Sequence, residues 1–260
     1  VCATCGCGSA DHDHRRLRDG GERAHAHLDG EGARTLRVER ELLEKNARIA
    51  DRNRRAAARD GLTILNLIGA PGAGKTSLLE AVLPRLGRTT PALVVEGDQA
   101  TDRDARRIEA AGSRVVQINT GTGCHLDASM MERGIAALAP PRGSVIFVEN
   151  VGNLVCPALF DLGERVKIVV MATTEGEDKP LKYPHVFRAA RLLVLTKLDL
   201  LPHLDLDEAR LVDYARDVAG PGLGVLRTSA TSGEGIDALV EWIRAEARRP
   251  PREARGKASP

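Results

Sequence analysis

Eight residues, Gly69-Ala70-Pro71-Gly72-Ala73-Gly74-Lys75-Thr76, constrain this chain more than any other stretch. They satisfy the phosphate-loop pattern G-x-x-x-x-G-K-[ST] at every fixed position. Their neighbours fit as well. Thr63 to Ile68 reads as a buried strand, and Thr76-Ser77-Leu78-Leu79-Glu80-Ala81-Val82-Leu83 reads as a helix. A strand, a glycine turn (Gly69, Gly72, Gly74) and a helix N-terminus present unpaired backbone N–H groups and a favourable dipole to an anion. Lys75 is expected to reach the β- and γ-phosphates of a nucleotide. The Thr76 hydroxyl, followed by Ser77 in the first helical turn, is expected to help hold Mg²⁺.

Regular alternation follows the loop. Strands are expected at Pro91–Glu96, Arg114–Ile118, Ser144–Glu149, Val166–Ala172, Arg191–Thr196 and Val225–Ser229. Helices are expected near Asp102–Ala111, Leu126–Leu138, Asp207–Val218 and Gly235–Ala247. Such alternation implies an α/β fold: a mostly parallel sheet with helices on both faces, the three-layer α/β/α arrangement of P-loop NTPases. Ligand loops then gather at the carboxyl ends of the strands. Upstream, Leu36 to Arg59 is charged and helix-favouring, with Leu36, Leu42, Leu43 and Ile49 as a sparse apolar stripe. The expected organisation is a Cys/His-containing tail over 1–35, a helical lead-in over 36–61, a nucleotide-binding domain over 62–248 and a disordered tail over 249–260.

Bulk properties remove several partners. Of 260 residues, Lys and Arg outnumber Asp and Glu by only 38 to 36, so charge implies no nucleic-acid or membrane partner. No apolar run reaches the roughly 18 residues that a membrane span needs. Cys2 and Cys5 stand where a secretory leader would carry a charged and then an apolar segment, so a reducing, cytoplasmic location is expected. In such a compartment cysteines serve as metal ligands or free thiols more often than as disulfides.

Thr196-Lys197-Leu198-Asp199 follows an apolar strand and points to guanine. A carboxylate there can accept from N1–H and the 2-amino group of guanine, which adenine cannot offer. An unpaired buried polar group costs about 1–3 kcal/mol, which is the source of discrimination. The stretch resembles the N-K-x-D signature of GTPases, with Thr196 in place of Asn, and Ser229-Ala230 resembles the loop that backs the guanine ring. Glu149 and Asp98, both at strand ends, are acidic candidates for Mg²⁺, and Gly152 lies where a γ-phosphate-sensing glycine would stand. The expected reaction is GTP hydrolysis to GDP and phosphate. No glutamine or arginine finger is identifiable, so turnover is expected to be slow.

Two further clusters suit metal. Cys2, Cys5 and Cys7 place three thiols within six residues, enough to wrap a soft or borderline ion. His12, His14, His25 and His27 form two H-x-H pairs to which no role is assigned. In the loop after the third strand Cys124 and His125 are adjacent, and Cys156 follows the Gly152 segment. Two thiols and an imidazole suit Zn²⁺ or Ni²⁺, although spacing alone leaves an unrelated trio of loop residues open.

Taken together, Cys2-Ala3-Thr4-Cys5-Gly6-Cys7, the phosphate loop, Glu96-Gly97-Asp98-Gln99, Gly123-Cys124-His125, Glu149 to Pro157 and Lys182-Tyr183-Pro184 resemble the hydrogenase nickel-incorporation GTPases, the HypB family of SIMIBI-class P-loop GTPases. The resemblance implies a GTPase that helps deliver Ni²⁺ to the large subunit of [NiFe]-hydrogenase, with a HypA-type nickel chaperone as partner. It implies a domain that dimerises on GTP and binds Ni²⁺ or Zn²⁺ through Cys124, His125 and Cys156. It also implies a nickel site at Cys2, Cys5 and Cys7, and dimer contacts at Leu200 and Leu204. The rivals are the urease-type nickel GTPase, which usually carries Cys-Pro-His where this chain has Cys124-His125, and a passive nickel or zinc store.

Overall fold

A computed structural model describes residues 30–87, 89–98, 102–121 and 125–250. Cys2, Cys5, Cys7, the four histidines before residue 30, Cys124 and the tail from 251 lie outside the described residues. The chain separates into two units, at Lys45 and Asn46, and every contact given below lies within the second.

Helix α1 spans Gly30–Asp60. Seven strands follow: β1 (Thr63–Ile68), β2 (Ala92–Asp98), β3 (Val115–Asn119), β4 (Val145–Glu149), β5 (Val166–Ala172), β6 (Ala190–Thr196) and β7 (Gly224–Arg227). They form one sheet in the order β3-β2-β4-β1-β5-β6-β7, and every neighbouring pair is parallel. The strands therefore all end on one edge. The three-layer α/β/α fold expected from the alternation is the one observed.

The side-chain period of two explains how the sheet is covered on both sides. Leu65, Leu67, Val145, Phe147, Ile168, Val170, Leu192 and Val194 pack on one face. There they meet α2 (Lys75–Leu86) and α9 (Ile236–Arg248), the latter through Ile236, Leu239, Val240 and Ile243. The alternate residues Ile64, Ile146 and Val148 face α4 (Ala128–Leu138) through Met131 and Leu138. Val169, Met171, Leu193 and Leu195 face α7 (Pro184–Ala189) and α8 (Glu208–Ala219). Each such side chain, fully buried, contributes about 1.5–3 kcal/mol. With so few aromatics the core relies on these aliphatics, and Phe147 and Phe187 are its largest buried members.

Of the stripe expected on the lead-in helix, Ile49 is half-buried. Leu42 and Leu43 are exposed. The buried positions are Asn46, Ala50, Asn53 and Ala57, one per helical turn on a single face. Small residues let the helix approach closely, and the asparagines make specific bonds. Asn46 Nδ2 donates to Asp161 O at 2.7 Å, and its Oδ1 accepts from Ala128 N at 2.8 Å. Asn53 Nδ2 donates to Ala128 O at 2.8 Å and to Leu162 O at 3.0 Å. A Cβ on Gly163 would come within 2.6 Å of Ala50 O, so only glycine permits that approach.

Candidate nucleotide and metal site

The phosphate loop leaves β1 and enters α2 at Lys75. Strands β2, β3 and β4 lie on one side of β1 and β5, β6 and β7 on the other, so the loop sits at the reversal of strand order where α/β sheets open a crevice. Gly72 and Gly74 adopt φ of +75° and +89°, a region that favours glycine. Gly69 answers a different need, since a Cβ there would lie 2.4 Å from Val170 O on β5. Gly152 is pressed against the loop, and a Cβ on it would be 2.9 Å from Pro71 Cγ. This glycine thus places the segment after β4 directly on the phosphate loop.

An open pocket of about 540 Å³ lies there, lined by Gly72, Gly74, Lys75, Thr76, Ser77, Asp98, Glu149, Gly152 and Lys197 among the residues singled out from sequence. Its volume falls within the range of small-molecule sites. Lys75 Nζ donates to Gly69 O at 3.2 Å and Ala70 O at 3.3 Å. Burial pulls the Lys75 ammonium below its usual value, with Glu149 opposing that shift. Thr76 Oγ1 donates to Glu149 Oε1 at 2.6 Å. The remaining Glu149 oxygen is buried without a hydrogen-bond partner, and burial raises this carboxyl to about 6.

Four polar or charged lining residues were not singled out from sequence as site residues: Glu96, Asp104, Arg107 and Asn150. Glu96 had a signal, because it lies two positions before Asp98 and therefore shares its strand face. Its carboxyl is buried, has one oxygen unpaired and is raised to about 8, first by burial and then by Glu149, Asp104 and Asp98. Arg107 is fixed by Glu80 at 2.9 and 2.6 Å, by Ser77 Oγ at 3.0 Å and by Asp104 at 2.9 Å. It belongs to α3 (Arg103–Ala110), and its tie to α2 has no local sequence signature.

The guanine candidates sit along the same edge. Thr196 ends β6, is buried, and its Oγ1 donates to Ala73 O of the phosphate loop at 2.6 Å. Lys197 takes the left-handed conformation at φ +61°, and its carbonyl accepts from Thr173 Oγ1 at 3.0 Å. Asp199 Oδ1 accepts from Ser229 Oγ at 2.5 Å. The Ser229 oxygen also accepts from Ser232 N at 3.1 Å, which shapes the turn that holds Ala230.

Of the candidate nickel and zinc ligands, His125 and Cys156 are described. Cys156 is buried and opens the one-turn helix α5 (Cys156–Leu159). The His125 ring lies against Phe160, centroids 3.9 Å apart. Burial lowers the His125 pKa, with Asp127 opposing, which favours the neutral imidazole that metals need. Among the described residues no three His, Cys, Asp or Glu side chains are gathered to hold an ion. Cys124 lies outside the described residues, so its relation to this pair is not part of that statement.

A phosphate loop at a strand-order reversal, with an acidic strand end facing its threonine, defines a P-loop nucleotide-binding protein. The family profile for the CobW/HypB/UreG nucleotide-binding domain matches residues 63–220. Over 221 residues the chain is 53% identical to the hydrogenase maturation factor HypB of Azotobacter vinelandii, covering 85% of this chain and 73% of that one. HypB from Helicobacter pylori, solved in complex with nickel, matches at TM-score 0.76 and 30% identity over 82% of this chain and 99% of that one. HypB from Archaeoglobus fulgidus matches at TM-score 0.73 and 32% identity over 79% of this chain and all 100% of that one. The chain belongs to the CobW/HypB/UreG family and, within it, to the HypB hydrogenase maturation factors. No described helix is long and apolar enough to cross a membrane.

Proposed function

We propose that this protein is a GTP-hydrolysing nickel metallochaperone that helps insert Ni²⁺ into the large subunit of [NiFe]-hydrogenase. The observation that carries the reading is a shared sheet edge. Thr76 with Glu149, Asp199 with Ser229, and the segments that lead to His125 and Cys156 all follow the carboxyl ends of parallel strands in a HypB-family chain. Cargo nickel or zinc would bind through Cys124, His125 and Cys156, and nickel through Cys2, Cys5 and Cys7. A HypA-type chaperone and a second copy of the chain are the expected partners.

Mg²⁺ fits the residues present. Glu149 offers a buried oxygen that lacks a partner, Thr76 offers its hydroxyl, and Asp98 lines the same pocket. A small hard cation that keeps several waters needs few protein oxygens. Bound with nucleotide, Mg²⁺ neutralises charge that develops on the phosphates. Backbone N–H groups of the loop hold the phosphate oxygens. Lys75 exchanges its two loop carbonyls for the β- and γ-phosphates. Asp199, oriented by Ser229, accepts from guanine N1–H and the 2-amino group. Gly152 lies close enough to the loop for the γ-phosphate to alter the segment leading to Cys156.

The deciding test is nickel stoichiometry with and without a non-hydrolysable GTP analogue, in the parent and in a Cys2/Cys5/Cys7→Ala variant. The proposal expects one tightly bound nickel in the parent, its loss in the variant, and an analogue-induced dimer carrying further metal. GTP hydrolysis with no nickel bound at any site would replace it with an ordinary regulatory GTPase.

A further inference from the structure

Helix α5 is a single turn, too short to hold itself together by its own hydrogen bonds. The side chain that holds it comes from β5. Lys167 Nζ donates to Pro157 O at 3.2 Å, Ala158 O at 2.9 Å and Phe160 O at 3.2 Å. An ammonium has three protons to give, so these carbonyls can take all of them. The three acceptors run from the residue after Cys156 to Phe160, whose ring packs on His125.

Lys167 is in turn fixed from behind. Glu164 Oε1 lies 3.5 Å from its Nζ and accepts from Asn66 Nδ2 at 3.3 Å. The other Glu164 oxygen accepts from Leu162 N at 2.6 Å. Asn66 and Lys167 are direct partners in the β1–β5 ladder. Asn66 Oδ1 accepts from Asn150 Nδ2 at 3.4 Å, and Asn150 Oδ1 accepts from the backbone N–H of Leu126 at 3.2 Å, next to His125. Asn66 and Asn150 are fully buried, and Glu164 nearly so. A hydrogen-bonded polar chain of this kind inside an α/β core rigidifies the groups it joins. What it fixes here is the backbone that follows His125 and Cys156 in the chain.

We infer that Lys167, braced by Glu164 and Asn66, is a positioning residue for the domain's metal site: it sets the geometry of Cys156 and, through Phe160, of His125. This rests on the reading of those two residues as metal ligands. Residues that orient ligands from behind typically change metal affinity by about 10–100-fold when removed.

The test uses the full chain with Cys2, Cys5 and Cys7 replaced by Ala, so that the tail contributes no thiolate. Ni²⁺ is titrated alone and followed by thiolate-to-nickel charge-transfer absorption. Lys167→Met should weaken binding about tenfold or more and shift that band, with GDP affinity unchanged. Lys167→Arg should restore part of the affinity. Lys167→Met strands the buried Glu164 carboxylate, so Lys167→Met/Glu164→Gln, which removes both charges, is measured beside it as the variant more able to fold. A folded single or double variant with the parent's nickel affinity and band would overturn the inference. Cys156→Ser separates the two levels. If the background protein binds no nickel, or keeps its nickel unchanged after Cys156→Ser, the ligand assignment itself is wrong and the inference falls with it.

Discussion

Thr76 and Glu149, 73 residues apart, meet through a 2.6 Å hydrogen bond from the threonine hydroxyl to the carboxylate. The bond joins the first turn of α2 to the end of β4, and it leaves the second Glu149 oxygen buried and unpaired. A cation beside the free Glu149 oxygen and the threonine hydroxyl would use the acceptor capacity that each has left. Glu149→Gln and Thr76→Ala should each lower the Mg²⁺ contribution to GDP affinity by about tenfold or more, while binding in chelator changes little. Thr76→Ser keeps the hydroxyl and should behave like the parent. Fluorescent-GDP titrations with Mg²⁺ and with chelator make the comparison, and an unchanged Mg²⁺ contribution in Glu149→Gln would remove this residue from the site.

Thr196 stands where GTPases commonly have asparagine, and the structure shows what it does instead. Its hydroxyl donates to Ala73 O inside the phosphate loop, so the strand that leads to Asp199 is tied to the loop that faces phosphate. Thr196→Val keeps shape and loses the bond. A hydrogen bond of this kind contributes about 1 kcal/mol, so GDP should bind about fivefold more weakly. If calorimetry gives equal affinities for parent and variant, the tether has no part in binding.

Asp199 Oδ1 accepts from Ser229 Oγ, which orients the carboxylate for the proposed guanine contact. Asp199→Asn replaces one of the two carboxylate acceptors by an NH₂ donor. The variant should lose GTP affinity by about tenfold or more, since guanine's donors then face an amide. It should gain affinity for xanthosine triphosphate, whose 2-carbonyl accepts what the amide gives. Competition titrations with GTP, ATP and xanthosine triphosphate measure this, and an undisturbed preference for GTP would show that the base lies elsewhere.

Much of this architecture is legible because its signals are local. Each strand is a short aliphatic run ended by turn chemistry, and strand edges such as Thr63–Ile68 and Val166–Ala172 coincide with those observed. The phosphate loop declares itself through glycines whose φ or close contacts demand them. Asn53 does not. Its partners Ala128 and Leu162 are 75 and 109 residues away, and in a charged helical stretch it looks like a solvated side chain. Leu42 and Leu43 carry the usual packing signal of an apolar stripe, yet both are exposed. Helices α5, α6 (Lys179–Lys182) and α7 were also illegible, being too short to carry a period.

The asparagine face of α1 therefore gives a stability prediction that sequence could not. Asn53→Ala leaves Ala128 O and Leu162 O without their donor and removes buried contact. A loss of about 1–3 kcal/mol is expected, read as a lower urea midpoint at unchanged slope. Nucleotide affinity should hold, because Asn53 does not line the pocket. Unchanged stability would mean that the helix is not secured by this bond.

Glu96 supplies the pH prediction. It is buried, faces Glu149 across the β2–β4 ladder, and its carboxyl is raised from 4.5 to about 8. Burial is the first cause, with Glu149, Asp104 and Asp98 adding to it. A raised carboxyl means that the native state holds this proton more tightly than the unfolded chain. The associated stability is full below about 4.5 and is lost as pH rises through about 8. In chelator and without nucleotide, the protein should therefore lose denaturant resistance between pH 5 and 8.5, an interval that spans most of this titration. Glu96→Gln carries no titrating proton there, so its profile should be flatter and its advantage over the parent greatest at the alkaline end. Urea midpoints across that range for both proteins decide the matter: parallel profiles would show that Glu96 is ionised in the native state throughout.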